Sequence, residues 1–277
     1  VGMLINVILD PIFIFGLLGF PAMGIKGAAI ATVISQAIAA VVILIILYRR
    51  KLLSFHCLTR ERLFHSWKLI ISYGLPAMLG MLLVPFANSI ITKITAEFGD
   101  VAVAGVSAAS RIEMLAFVFP MALGTTLMPI LAQSYGAKLY TRVKDCLRFS
   151  LNLGFFFLLF AGILMAIFAP RMVTFFTPEE SVQKIMIIYL RIIPFGLGMV
   201  ECMRFAGFAL IACGHPKIDA WLKAFRILII HIPLSVLALQ LHSLPGVFYA
   251  RLSADIAGGI SSMLAAWIIL KGLENRE

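Results

Sequence analysis

Charge is scarce in this chain. Only 13% of its 277 residues are charged, and just 13 residues are acidic. A soluble globular domain carries charge on about a quarter of its residues, so that class is excluded. Disorder is excluded from the other side. The chain is 62% hydrophobic, whereas disordered chains are poor in Leu, Ile, Val and Phe. Cysteine is sparse too, at Cys57, Cys146, Cys202 and Cys213. None has CxxC or metal-ligand spacing, and all fall in apolar stretches or basic loops. Zinc, a redox pair and structural disulfides are therefore not expected. Walker A, GxSxG, HExxH and Gly-rich nucleotide loops are missing from the sequence. No enzyme activity, cofactor or resident metal is expected, and no ATP-driven pump. The first apolar stretch lacks a basic leader and contains Asn6 and Asp10, which argues against a signal peptide.

What is present is long apolar sequence, with a mean hydropathy of +1.04. A bilayer-spanning helix needs about 20 apolar residues. Eight segments qualify, at 3–19, 27–48, 69–96, 101–135, 149–169, 183–212, 219–241 and 246–270. Nothing in them alternates like a barrel strand, and helices are the open structure that satisfies the backbone in lipid. The expected fold is an all-α integral membrane protein, a polytopic bundle of about eight transmembrane helices.

The net charge of +10 reads as topology rather than as a nucleic-acid surface, because no basic stripe interleaves with aromatics. Basic residues crowd loop 49–68 (Arg49, Arg50, Lys51, Arg60, Arg62, Lys68), loop 137–148 (Lys138, Arg142, Lys144, Arg148) and loop 213–226 (Lys217, Lys223, Arg226). The tail adds Lys271 and Arg276, whereas the intervening turns carry Glu97 and Asp100, then Glu179 and Glu180, then no charge at 242–245. The positive-inside rule places the basic loops and the C-terminus in the cytoplasm, with the chain in a prokaryotic plasma (inner) membrane. Loop 49–68 is the longest connection, giving three expected parts: two helices over 1–48, a linker over 49–68 and six helices over 69–277. Segments 69–96 and 101–135 exceed one span and hold Pro76, Pro85, Pro120 and Pro129. They should bend or extend beyond the bilayer.

Ionisable residues inside spans are costly and mark cavities or partners. Asn6 and Asp10 lie four apart on one helical face, and Pro11 frees a backbone carbonyl one turn earlier. That oxygen-rich cluster suits a proton or Na+, set against the simpler reading of Asp10 as a helix-end cap. Glu201 has Arg204 one turn later, so an internal ion pair and a second cation site weigh equally. Arg111 and Glu113 share no helix face and need partners elsewhere, which makes Glu113 a cavity candidate. Arg251 and Asp255 read as an i,i+4 structural pair near the outer interface, and His231 as a satisfied core histidine.

The run NVILDPIFIFG (Asn6 to Gly16), then MGIKGAAIATVISQ (Met23 to Gln36), resembles the fifth and sixth helices of multidrug and toxic compound extrusion (MATE) transporters, in particular the DinF-like branch. GLPAMLG from Gly74, FPMALGTTLMPILAQSYGA from Phe119 and ALIACGHPK from Ala209 are similar to the seventh, eighth and tenth. The resemblance implies two six-helix lobes around a cavity, of which this chain holds the last two N-lobe helices, the cytoplasmic linker and the C-lobe. Four further spans are then expected upstream of Val1. It also implies a cation- or proton-binding role for Asn6 and Asp10, with Thr32 on the next helix, and leaves Glu201 as an auxiliary cavity acid, beside Glu113 and Arg111, which are cavity candidates from their place inside a span. The NorM-like branch carries C-lobe acids on its seventh and tenth helices. Here Val84 departs from the first, and Glu201 falls at or beside the second.

The implied function is antiport by alternating access, exporting cationic or amphipathic small molecules in exchange for H+ or Na+, by a monomer in the bilayer. A lipid or lipid-linked oligosaccharide flippase of the wider superfamily is the alternative, as is a fragment that does not transport.

Overall fold

The computed structural model describes residues 2–52 and 59–274; Cys57 and Arg276 lie outside them. The described residues are helical, with no strand among them. Helices α1 (Gly2–Phe15) and α2 (Ile25–Arg49) are followed by α3 (Arg60–Ala96), α4 (Asp100–Ala116), α5 (Val118–Gly136) and α6 (Tyr140–Thr174). Then come α7 (Glu180–Ile192), α8 (Leu197–Ala212), α9 (Pro216–Ala224), α10 (Ile232–Gln240) and α11 (Leu244–Glu274). The molecule is a polytopic helical bundle. By length and composition, 6 helical stretches can cross a membrane, and the bent α4–α5 pair makes up to 7. Helix α1 is apolar but, at 14 residues, shorter than a span. Two compact units are present, Val1–Lys68 and Leu69–Glu277.

Proline accounts for the breaks. A proline lacks the N–H that would bond the carbonyl four residues back, and its ring crowds that carbonyl. Pro120 therefore releases Ala116, where α4 ends, and α5 departs at 52°. Pro194 sits in the 3₁₀ turn Ile193–Gly196 that joins α7 to α8. Pro233 follows the π-helical segment Phe225–His231, which joins α9 to α10. Only the first of these breaks lies in a segment expected to bend. Pro76 and Pro85 leave α3 unbroken over 37 residues, about 55 Å at 1.5 Å per residue, so its excess length is taken up as extension.

In the second unit, α8 is the central rod, walled by α5, α6 and α11. Two apolar cores lie along it. One gathers Ile112, Leu158, Tyr189, Leu190 and Ile193, and the other Leu131, Leu147, Phe205, Leu210 and Leu270. A third, smaller core of Ile94, Ala238 and Val247 joins the ends of α3, α10 and α11. Lipid tails are as apolar as Leu, so close approach rather than apolar burial holds such helices together. Gly259 on α11 shows the tightness: a Cβ there would lie 2.7 Å from the Met199 carbonyl oxygen of α8.

Candidate cation-binding site

In the first unit, the turn after α1 folds back onto its own helix. The Met23 and Gly24 amides donate to the Phe13 and Ile14 carbonyls at 3.0 and 3.3 Å, capping the end of α1. Helix α2 then runs back along α1 on a buried stripe of Gly27, Ala31 and Ser35. These are four apart and small, so the backbones can meet. A Cβ on Gly27 would lie only 2.4 Å from the Phe13 oxygen. Thr32, next to Ala31, is thereby held at the edge of the seam facing α1.

The structure brings Asn6, Asp10 and Thr32 together. Asn6 Nδ2 donates to Asp10 Oδ1 at 3.2 Å and approaches Thr32 Oγ1 at 3.5 Å. The Thr32 hydroxyl donates to the Ala28 carbonyl at 2.9 Å, leaving its oxygen lone pairs toward Asn6. Pro11 lies inside α1, so the Val7 carbonyl lacks its usual donor. The Asp10 carboxylate and the Thr32 hydroxyl are hard oxygen groups that suit H+ or Na+ rather than a soft metal, and the Asn6 amide nitrogen is set between them.

The acids of the second unit are arranged differently from the sequence expectation. Glu113, on α4, accepts from Tyr189 Oη at 2.5 Å through Oε2 and from Arg251 Nη2 at 2.5 Å through Oε1. Arg251 Nη1 also reaches Tyr189 Oη at 2.5 Å. Arg251 is thus drawn into the bundle instead of pairing chiefly with Asp255, from which its Nε stands 3.7 Å away. Asp255, fully buried, takes the Arg226 guanidinium instead. The local i,i+4 pair does form, but it is the longer of the two ion pairs that each residue makes. His231 is buried, but its Nε2 has no hydrogen-bond partner among the described residues, nor have Ser235 Oγ and Asp255 Oδ2. The satisfied-histidine expectation is corrected accordingly. Arg111 is exposed and outside this network.

Glu201 is fully buried on α8 and pairs with Arg204 Nη2 at 2.6 Å. Its second oxygen has no hydrogen-bond partner among the described residues. Arg204 also borders a groove of about 680 Å³ between α5 and α8, with Met121, Thr125, Met128 and Phe208. Tyr189 and Arg226 had gone unremarked as interior partners. A tyrosine or arginine in an apolar span is the only sequence signal for them.

Comparison with known proteins places this architecture. A FAD transporter of Shewanella oneidensis is 29% identical over 259 residues, covering 93% of this chain and 57% of that protein. The probable multidrug resistance protein YoeA of Bacillus subtilis is 29% identical over 185 residues, 65% of this chain and 40% of that one. The crystal structure of the Vibrio cholerae MATE transporter VcmN in the bent form superposes with a TM-score of 0.88 at 28% identity. That superposition covers 99% of this chain and 61% of that one. The matched regions therefore span roughly two-fifths to three-fifths of the length of these proteins. The MatE family model matches residues 76–237, more than half of the 277, and on that match the chain belongs to the MATE family.

Proposed function

We propose that the chain is part of a DinF-like secondary antiporter that exports cationic or amphipathic small molecules by alternating access. Asn6, Asp10 and Thr32 hold the coupling ion, H+ or Na+. The observation that carries this reading is the hydrogen-bonded meeting of an amide, a carboxylate and a hydroxyl on two adjacent apolar helices. Intramembrane acids are costly unless they serve a site. Asp10 binds the ion, Asn6 orients the Asp10 carboxylate, and Thr32 adds a neutral oxygen. Family membership supports transport rather than catalysis. The test is ion-gradient-driven efflux by the full-length protein reconstituted in proteoliposomes. Asp10→Asn abolishes efflux while leaving insertion and folding intact; undiminished efflux in that variant refutes the site.

A second reading concerns cargo. The FAD transporter is similar over nearly the whole chain, and the α5–α8 groove offers an aromatic ring and the Arg204 guanidinium, one nitrogen of which pairs with Glu201 behind the groove. Such a groove suits an anionic aromatic such as a flavin dinucleotide. Flavin accumulation in the medium of expressing cells, absent with an empty vector, supports this cargo over cationic drugs.

A further inference from the structure

A second groove lies on the opposite wall of the second unit. Helices α6 and α11 form its sides and α8 its floor, and it encloses about 740 Å³. Lys144, Arg148, Leu151 and Phe155 line the α6 side. At spacings of 4, 3 and 4 residues, they form one stripe along the helix. Met199 and Cys202 make the floor, and Met263, Trp267 and Leu270 the far side. The polarity is graded. Cations stand only at the end near the 137–148 loop, and everything deeper is apolar apart from Asn152. At that same end, Lys271 lies over the Trp267 ring at 5.0 Å.

We propose that this groove binds an anionic phospholipid of the leaflet facing the basic loops, which the charge pattern makes cytoplasmic. The headgroup phosphate sits between Lys144 and Arg148, beside the Lys271 end of α11. One acyl chain lies along Leu151, Phe155, Met199 and Met263. Three observations argue for a lipid rather than a soluble anion. From Lys144 to Phe156 the groove follows 12 residues of helix, about 18 Å at 1.5 Å per residue, against about 15 Å for half the hydrocarbon core. Its depth is thus that of a single leaflet. Trp267 stands near the end of α11, where indole rings prefer the headgroup level. Basic pockets between spans on the cytoplasmic side recognise anionic headgroups. The proposal is independent of the transport reading, since it uses neither α1 nor α2.

Trp267 becomes the reporter when Trp67, Trp221 and every tryptophan of the full-length protein outside this chain are replaced by Phe. In detergent-solubilised full-length protein, brominated phosphatidylglycerol should quench Trp267 saturably, and brominated phosphatidylcholine should not. Lys144→Gln with Arg148→Gln should weaken the apparent affinity about thirtyfold, the usual effect of two basic side chains at an anionic leaflet. Lys138→Gln with Arg142→Gln removes the same charge from the same loop outside the groove, and should change affinity less than threefold. Equal quenching by both lipids overturns the proposal. So does an equal loss in both charge variants, or full competition by glycerol 3-phosphate. If the groove variant is recovered poorly, the lipid comparison on the charge-intact protein decides alone.

Discussion

Arg251 on α11 reaches Glu113 on α4 across 138 residues of chain, with Nη2 2.5 Å from Oε1. Tyr189 on α7 bonds to both. Three helices are therefore pinned by one guanidinium, in a region where apolar contacts alone give no preference over lipid.

Removing one partner strands the other. Glu113→Gln or Arg251→Gln should each lower stability by about 3–5 kcal/mol. The double variant should lose less than the sum, which a double-mutant cycle of thermal unfolding in detergent measures. Strict additivity would show that the pair does not couple.

Gly27 tests the seam that holds Thr32 beside α1. Gly27→Ala places a methyl 2.4 Å from the Phe13 oxygen, so the two backbones must part. A stability loss of about 1–3 kcal/mol is expected, together with a fall in ion-driven efflux. Ala31→Gly adds no atoms and should leave efflux within twofold of the parent.

Arg204 separates the two cargo readings. If the α5–α8 groove takes an anionic aromatic, Arg204→Gln should raise KM for flavin export about tenfold with little change in kcat, the pattern of lost uniform binding. Cationic drug export should be unaffected or improved. Equal effects on both cargoes would reduce Arg204 to a structural partner of Glu201.

Cysteine labelling probes the loop end of the second unit. Burial pushes the Cys213 thiol up to about 11. At pH 8 its thiolate fraction is then about one in a thousand, rising tenfold per pH unit until near pH 11. In a Cys57→Ser background, maleimide should therefore modify the half-buried Cys146 before Cys213, and Cys213 only as pH climbs. Rapid labelling of Cys213 at pH 7 would contradict its burial.

Local periodicity made part of this readable in advance. Asn6 and Asp10 share a face because they are four apart, and no tertiary knowledge is needed. Pro120 announces its bend for the same kind of reason. Thr32 needed more, because its place beside Asn6 depends on the Gly27–Ala31–Ser35 seam. Glu113 was visible as an acid in need of a partner, but Arg251 stood 138 residues away with Asp255 closer at hand in sequence. The nearest opposite charge along the chain was the wrong one for Glu113, and for Arg251 it was the more distant of its two acidic partners. The Pro233 break fell in a segment of ordinary span length, where proline is commonly tolerated, so length gave no warning there; the Pro194 break fell in segment 183–212, which is longer than 69–96, and its length was a signal left unused.

The charge network has an electrical consequence. Glu113 and Asp255 carry two formal negative charges, and Arg226 and Arg251 two positive ones. Their sum is zero. A displacement of this bundle through the transmembrane field moves no net charge at that depth, and so exchanges no work with the membrane potential, which otherwise acts at about 2.3 kcal/mol per elementary charge per 100 mV. Voltage can then act on a transport cycle only through charges outside this cluster, such as an ion bound at the proposed Asp10 site. Efflux currents should therefore keep their voltage dependence when Glu113 and Arg251 are neutralised together, and change it when either is neutralised alone.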